Sequence, residues 1–438
     1  MTIATENAAS LLADKITSRT ARVGIVGLGY VGLPLAVEFA KAGFQVTGMD
    51  VNPHKTECVN AGDSYVGDVP SSTLSELVRS GKLVATTDFS VVRDLDTINI
   101  CVPTPLRKTK DPDMSYIVSS SREIQKHIHD GMLIILESTT YPGTTDELLL
   151  PIFEKSDLRV GQDFFLCFSP ERVDPGNPKY QTTNIPKVVG GITPACTEMG
   201  RLFYSQALEN VVPVSSTQVA EMVKLLENTF RMINIGLVNE MALMCDRMGI
   251  NVWEVIEAAA TKPFGFMPFY PGPGLGGHCI PIDPFYLSWK TKQAGIEARF
   301  IELAGYINGQ MPQFVVDKIQ NALNDAGQPV KGSCVHILGV AYKKDIDDLR
   351  ESPALDVMLL LKRRGARLSF SDPYVPQLRL DGEILLAQPE VVAGDADCVA
   401  ILTDHSAFAY PRIASISRLI VDTRNALKGV TSTHIVRL

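Results

Sequence analysis

Cys279 closes a run of glycines in Gly274-Leu275-Gly276-Gly277-His278-Cys279-Ile280-Pro281-Ile282-Asp283. Glycines let backbone amides converge on a bound group and leave a thiol within reach. Cys279 is therefore a candidate nucleophile, with Gly276 and Leu275 beside it as candidate substrate contacts. His278 is its chain neighbour, but adjacent side chains diverge, which makes His278 a poor activating base. Asp283, four residues on, is placed to orient water. The other seven cysteines, Cys58, Cys101, Cys167, Cys196, Cys245, Cys334 and Cys398, are scattered. They form no Cys-x-x-Cys pair and no Cys/His ligand spacing, so they read as buried reduced thiols rather than a metal site or disulfide framework.

A second constellation is Gly27-Leu28-Gly29-Tyr30-Val31-Gly32, the Gly-x-Gly-x-x-Gly spacing. It comes after an apolar strand pattern and opens a helix pattern from Leu33 to Ala42, and Asp50 lies 18 positions beyond Gly32. In that context the first glycines allow backbone N–H groups to approach a pyrophosphate at a helix N-terminus, and Gly32 lets helix and strand pack. Asp50 suits an adenosine ribose and repels a 2′-phosphate. The expected cofactor is NAD.

Ser138-Thr139, after Glu137, and Thr104, within Cys101-Val102-Pro103-Thr104-Pro105, come directly after strand patterns. Ligands of open α/β sheets sit beyond such ends, although hydroxyls there also cap helices. Glu171-Arg172 stands after another strand. Lys224 and Asn228 are four apart in a helical stretch and so share a face, which by spacing alone could be the exposed one.

The scaffold for these groups can be read from periodicity. Strand-like runs at Arg22–Val26, Gln45–Met49, Thr97–Val102, Leu133–Glu137 and Phe164–Phe168 alternate with amphipathic stretches, the pattern of a parallel sheet covered by helices. A long helix is expected from Ser216 to Met248, with Ala220, Val223, Leu226, Phe230, Ile233, Leu237 and Met241 on its apolar face. A shorter helix should run from Val252 to Ala260, and a helical region from Pro284 to Ala326. Strand patterns resume at Ser333–Leu338, Arg367–Ser371, Cys398–Leu402 and Leu419–Asp422. The fold class is α/β, with two Rossmann-like parallel-sheet domains joined by a long central helix region. The expected divisions are an N-terminal extension (1–20), a Rossmann domain (21–213), a central helical domain with the cysteine loop (214–326), and a C-terminal Rossmann-like domain (327–438).

The bulk properties fit. The 438 residues carry a net charge of −8 with 45% hydrophobic and 21% charged residues, an ordinary globular mixture. An acidic chain argues against nucleic-acid or anionic-membrane partners. Met1 to Thr20 has the charges Glu6, Asp14 and Lys15 and no long apolar core, so a cytoplasmic protein without signal or anchor is expected.

Taken together, these motifs resemble the UDP-sugar 6-dehydrogenase family from about Arg22 to Leu427. The resemblance implies that Cys279 is the catalytic thiol, that Asp283, Lys224, Asn228, Glu171 and Thr139 assist it, and that the C-terminal domain binds the uridine nucleotide. The family's Lys-Lys-Asp and Arg-Glu-Ser segments fall on Lys343-Lys344-Asp345 and Arg350-Glu351-Ser352, and its late arginine on Arg424. By the resemblance Lys343, Lys344, Arg424 and Arg172 contact substrate, while Lys55 and Arg350 contact the cofactor. Two positions depart from the UDP-glucose pattern, Pro175 for a glutamate and Ile282 for a lysine. The Gly-Gly-His-Cys-Ile-Pro-Ile-Asp form is similar to the branch that oxidises UDP-N-acetylhexosamines, with UDP-N-acetylglucosamine favoured.

The implied chemistry is a four-electron oxidation at C6 through a Cys279 thioester, in a homodimer or multiple paired through the central helix, supplying surface polysaccharide such as lipopolysaccharide O-antigen. Two competitors stand beside it. A one-hydride dehydrogenase of the β-hydroxyacid type needs a lysine but no cysteine. A non-catalytic nucleotide-sugar binder would need neither.

Overall fold

The computed structural model describes residues 8–107, 111–174, 177, 179–180 and 182–438. Pro175 and Gly176 lie outside them. The chain divides into two compact units, 1–227 and 228–438.

The first unit is built on eight strands: β1 (Arg22–Val26), β2 (Gln45–Met49), β3 (Leu83–Thr86), β4 (Thr97–Ile100), β5 (Met132–Leu136), β6 (Phe164–Phe168), β7 (Lys187–Gly191) and β8 (Val211–Val214). Their order is β3-β2-β1-β4-β5-β6-β7-β8. All pairs are parallel except β6 with β7. The chain reverses its direction of travel between β1 and β4, the crevice where such sheets bind ligands. Strand β5 is buried along its whole length because both faces are covered. Leu133 and Ile135 pack on one side and Ile134 and Leu136 on the other, which is why it reads as a continuous apolar run rather than an alternating one. Strand β4 ends two residues short of the expected Val102, since Pro103 beyond it has no N–H to continue a ladder.

The second unit carries β9 (Cys334–Leu338), β10 (Arg367–Ser371), a hairpin of β11 (Gln377–Leu380) and β12 (Glu383–Leu386), then β13 (Cys398–Ile401), β14 (Ile420–Asp422) and β15 (Ile435–Arg437). The five-stranded sheet has the order β10-β9-β13-β14-β15, all parallel. Both sheets are Rossmann-like. The short strands β3, β8 and β15, the hairpin, and β7, which ends in two glycines, carry too little pattern to stand out in the sequence.

Five helices matter for the sites: α1 (Gly32–Lys41), α2 (Thr217–Met248), α3 (Asp283–Gln293), α4 (Arg299–Asp325) and α5 (Pro353–Arg363). Helix α2 is the long central helix, and the division between the units falls within it. The expected region 284–326 is two helices, because Gly295, at φ +75°, ends the first.

Helix α2 carries the expected apolar residues along its length. Of the seven, Ala220 is fully buried, while Leu226, Phe230 and Leu237 are exposed. The buried face mixes Leu225, Met232, Val238 and Ala242 with Glu221, Lys224, Asn228 and Asn239. The polar members are tolerated because each meets a specific partner. Among the described residues no helix is long and apolar enough to cross a membrane.

Candidate functional site

In the first unit the glycine turn folds as its spacing requires. Gly27 sits at φ +92°, a conformation side chains resist. A Cβ at Gly32 would run into the Gly27 carbonyl, whereas one at Gly29 would meet nothing. Gly32 thus serves packing, and Gly29 leaves open space where a ligand can approach. Tyr30 is exposed and Val31 is the N-cap of α1. The Tyr65 hydroxyl donates to the Leu28 carbonyl at 2.6 Å and fixes the turn from the side.

Asp50 stands just past β2. Its Oδ2 accepts from the Leu28 N–H at 2.9 Å and from Lys55 Nζ at 3.1 Å, and its Oδ1 accepts from the Asn52 N–H. Gly27, Gly29, Asp50, Lys55, Val102 and Pro103 line a cavity of about 860 Å³ at the β1/β4 crevice. That volume suits a large cofactor. The open glycine, the helix N-terminus and the acid fit a dinucleotide without a 2′-phosphate.

Beyond β5, the Ser138 hydroxyl donates to Val102 O at 2.7 Å, and Thr104 donates to Thr139 O at 2.8 Å. These hydroxyls lock the two loops of the crevice to each other. Glu171 is held from several directions. Its Oε1 accepts from the Arg172 and Val173 N–H groups, and its Oε2 meets Lys187 Nζ at 3.3 Å. Burial opposes ionisation of Glu171, but the Lys187 charge, the Val173 N–H, the Lys224 charge and the Arg172 N–H outweigh it and keep its carboxyl below the usual range. Lys224 Nζ donates at 2.6 Å to the main-chain carbonyl of Glu171, not to its carboxylate. Arg172 pairs with Glu227 at 2.5 Å.

The supports beneath these groups carry no signal in the sequence. Lys187 lies 2.5 Å from Glu137 Oε2, and Glu137 Oε1 accepts from Asn99 and from the Tyr204 hydroxyl, all buried. Glu221, one turn before Lys224, accepts from Gly143 N at 2.5 Å, Thr145 N at 2.9 Å and Thr145 Oγ1 at 2.7 Å. These partners are 38 to 78 residues apart in the chain, and no local pattern marks them.

In the second unit, Leu275, Ile280 and Phe285 bed the cysteine loop on Met232, Ile301 and Ala304. Gly277 donates its N–H to Arg350 O at 3.0 Å, and a Cβ at Gly276 or Gly277 would strike Tyr342. The thiol loop thus lies directly against the segment carrying Lys343 and Lys344. The Cys279 carbonyl accepts from the Asp283 N–H at 2.8 Å, placing Cys279 one turn ahead of α3, where helix dipoles favour negative charge. Asp283 is buried, and its Oδ2 accepts from Asn228 Nδ2 at 2.6 Å. Lys224 and Asn228 are both buried, contrary to the exposed alternative left open by their spacing. Arg424 pairs with Asp404 at 3.2 Å and lies against Gly272, and Arg350 pairs with Asp348 at 2.6 Å. All eight cysteines are free, and burial pushes the Cys101 and Cys167 thiols well up and that of Cys398 to about 12. Those three are inert packing groups, whereas Cys279 is half-buried.

Residues 21–208 match the NAD binding domain of the UDP-glucose/GDP-mannose dehydrogenase family, 218–310 its central domain and 336–429 its UDP binding domain. A UDP-N-acetyl-D-mannosamine dehydrogenase of Salmonella typhimurium is 35% identical over 417 residues, covering 92% of this chain and 98% of the relative. The solved UDP-D-ManNAc dehydrogenase of Pyrococcus horikoshii superposes with a TM-score of 0.87 at 33% identity, covering 95% of this chain and 98% of that one. An NDP-N-acetyl-D-galactosaminuronic acid dehydrogenase of Methanosarcina mazei gives 0.81 at 31%, covering 99% and 98%. The chain belongs to the UDP-glucose/GDP-mannose dehydrogenase family, and it is an NAD-dependent UDP-sugar dehydrogenase.

Proposed function

We propose that the chain oxidises the C6 alcohol of a UDP-N-acetylhexosamine to the uronate, with UDP-N-acetylmannosamine as the first candidate. The Salmonella and Pyrococcus relatives, both named for UDP-N-acetylmannosamine, move that sugar ahead of UDP-N-acetylglucosamine, which the cysteine-loop sequence favours by itself. The reading rests above all on Cys279 set one turn ahead of α3, with Asp283 in the first turn bonded to Asn228.

NAD, when bound in the glycine cradle, supplies the hydride acceptor for both oxidations, so two are consumed per uronate. In the first oxidation Asp283 takes the C6 hydroxyl proton through a water, with Thr139 a candidate to hold that water, and an aldehyde forms. The Cys279 thiolate then adds to the aldehyde, making a C–S bond and an oxyanion that is protonated to a thiohemiacetal. Loss of the hydroxyl proton and of hydride from C6 leaves a thioester. Water adds, the C–S bond breaks, and carboxylate and thiol are released. Lys224 and Asn228 donate to the oxyanions, contributions whose individual loss typically costs ~10²–10³ in rate. Asp283 is preferred over Glu171 for activating the hydrolytic water, because the Glu171 carboxylate is already engaged and is held a weak base.

The test is NADH counted per product with UDP-glucose and the N-acetylated glucosamine, galactosamine and mannosamine nucleotides. Two NADH per uronate, greatest with UDP-N-acetylmannosamine, is the expected result. One NADH per product points instead to a one-hydride dehydrogenase, and none with any sugar to a binding protein. Cys279→Ser should stop after the first oxidation, and normal uronate formation by it overturns the thioester. We also propose that a second copy covers the exposed Leu226, Phe230, Leu237 and Met248 stripe of α2. Light scattering should then give a dimer or a multiple, and a monomer refutes it.

A further inference from the structure

The four residues after β13 and its flanking Leu402, Thr403 to Ser406, tie together several loops of the UDP binding domain. Thr403 Oγ1 donates to Ala341 O at 2.6 Å, at the base of the loop that carries Lys343 and Lys344. Asp404 pairs with Arg424. Ser406 donates its N–H and its hydroxyl to the Asp345 carboxylate, each at 2.7 Å.

His405 is the centre of this set and is fully buried. Its Nδ1 faces the Asp345 N–H at 2.9 Å and must accept, so it carries no proton. Its Nε2 lies 3.0 Å from Asp372 Oδ2 and must donate. Asp372 cannot swing away, since it also accepts the N–H groups of Val340, Tyr374 and Val375. The Tyr374 and Phe408 rings pack against the imidazole at 5.1 and 5.5 Å between centroids. The line Asp372–His405–Asp345 thus fixes the tautomer and aims an acceptor at one main-chain N–H. That N–H belongs to a residue held at φ +61°, a strained conformation for an aspartate, immediately after the two lysines.

We propose that His405 is a positioning residue for the UDP-sugar: it pins Asp345, and so presents Lys343 and Lys344 to the diphosphate. The inference rests on the reading that these lysines contact the nucleotide. Nothing in the sequence joins His405 to them, 60 positions away from Asp345.

Two substitutions separate the two faces of the ring. His405→Gln keeps a donor where Nε2 stands and loses the acceptor for Asp345. His405→Asn keeps an oxygen where Nδ1 stands and loses the donor to Asp372. The Gln variant should raise KM for the UDP-sugar about tenfold, with kcat and KM for NAD held, as for loss of one bond that supports a charged contact. The Asn variant should rescue KM to within about threefold. Equal effects of both variants on thermal stability with no change in KM overturn the proposal, as does failure of Asn to rescue. Lys343→Met and Lys344→Met are the control arm. If they leave KM unchanged, the substrate reading fails. If they raise it while His405→Gln does not, only the positioning role fails. Should both His405 variants unfold, the exposed Ser406→Ala carries the same expectation at about threefold, and an unchanged KM there refutes it.

Discussion

The two Rossmann-like sheets begin with the same construction and diverge within a few residues. In the first, the Gly27 N–H bonds Met49 O at 2.7 Å, Gly27 has φ +92°, and Asp50 just past β2 accepts the Leu28 N–H. In the second, the Gly339 N–H bonds Ser371 O at 2.9 Å, Gly339 has φ +77°, and Asp372 just past β10 accepts the Val340 N–H. The two part company in the residues after that first glycine. Beyond Gly27 come Gly29 and Gly32, and α1 begins at Gly32 itself. Beyond Gly339 come Val340, Ala341, Tyr342 and two lysines, and α5 does not begin until Pro353. The acid of the first sheet is paired with the partly exposed Lys55 beside an open cavity, whereas that of the second is sealed by His405. A short glycine turn offers backbone amides to a pyrophosphate, and a long basic loop offers lysine charges. The NAD binding and UDP binding domains thus differ in turn length and in the partner of one aspartate.

The contrast is broken most severely at Asp372. Asp372→Ala leaves four main-chain N–H groups and His405 without their acceptor, and truncating one side of a buried polar pair costs about 3–5 kcal/mol. Both tryptophans, Trp253 and Trp289, lie in the second unit. Tryptophan fluorescence should therefore show that unit unfolding at markedly lower denaturant, while the Kd for NAD is retained. A parallel loss of NAD binding means that the two acids are not independent.

Gly32→Ala attacks the other side. Its Cβ collides with the Gly27 carbonyl and must displace the turn, and loss of about two backbone contacts to the cofactor corresponds to roughly tenfold or more in Kd. Calorimetry should show NAD binding weakened to about that extent and UDP binding unchanged. Asp50→Asn is milder. It removes the charge that excludes a 2′-phosphate and weakens the hold on Lys55, so KM for NAD should rise about tenfold, with a relative gain for NADP. If NADP does not gain on NAD, Asp50 does not set the choice of cofactor.

Much of the first construction is legible in the chain because it is local. Gly27 to Asp50 spans one strand, one turn, one helix and one strand, each with its own periodicity. The thiol loop is legible for the same reason. What escapes is what the fold brings from afar: Lys187 beneath Glu137 and Glu171, Glu221 beneath the Gly143 turn, and His405 between Asp345 and Asp372. Polar groups of this kind carry no repeat, and their burial is acceptable only with the partner in place. On helix α2 part of the apolar stripe is exposed on this chain, and the buried face mixes apolar residues with polar ones whose partners come from elsewhere.

Two buried acids, Glu221 in the first unit and Asp372 in the second, are shifted in opposite directions, which gives the finest test of the comparison. Burial raises the Glu221 carboxyl from 4.5 to about 7, against the pull of the Thr145 and Gly143 N–H groups. Burial also acts on Asp372, but the His405 hydrogen bond and the surrounding N–H groups reverse it and leave that carboxyl below its ordinary value. For Glu221 the protonated form is the one folding favours. Its contribution to stability is fully present below pH 4.5 and is lost as pH rises through about 7. For Asp372 the contribution is present above its ordinary pKa of 3.8 and is lost only as pH falls below that. Raising pH from 6 to 7 should therefore cost the first unit about 1 kcal/mol through Glu221 and leave the second unmoved through Asp372. Unfolding followed by circular dichroism should show that drift in the wild type and not in Glu221→Gln, with the tryptophan-reported transition flat in both. Parallel drifts in wild type and variant would place the pH-sensitive group elsewhere than beneath the Gly143 turn.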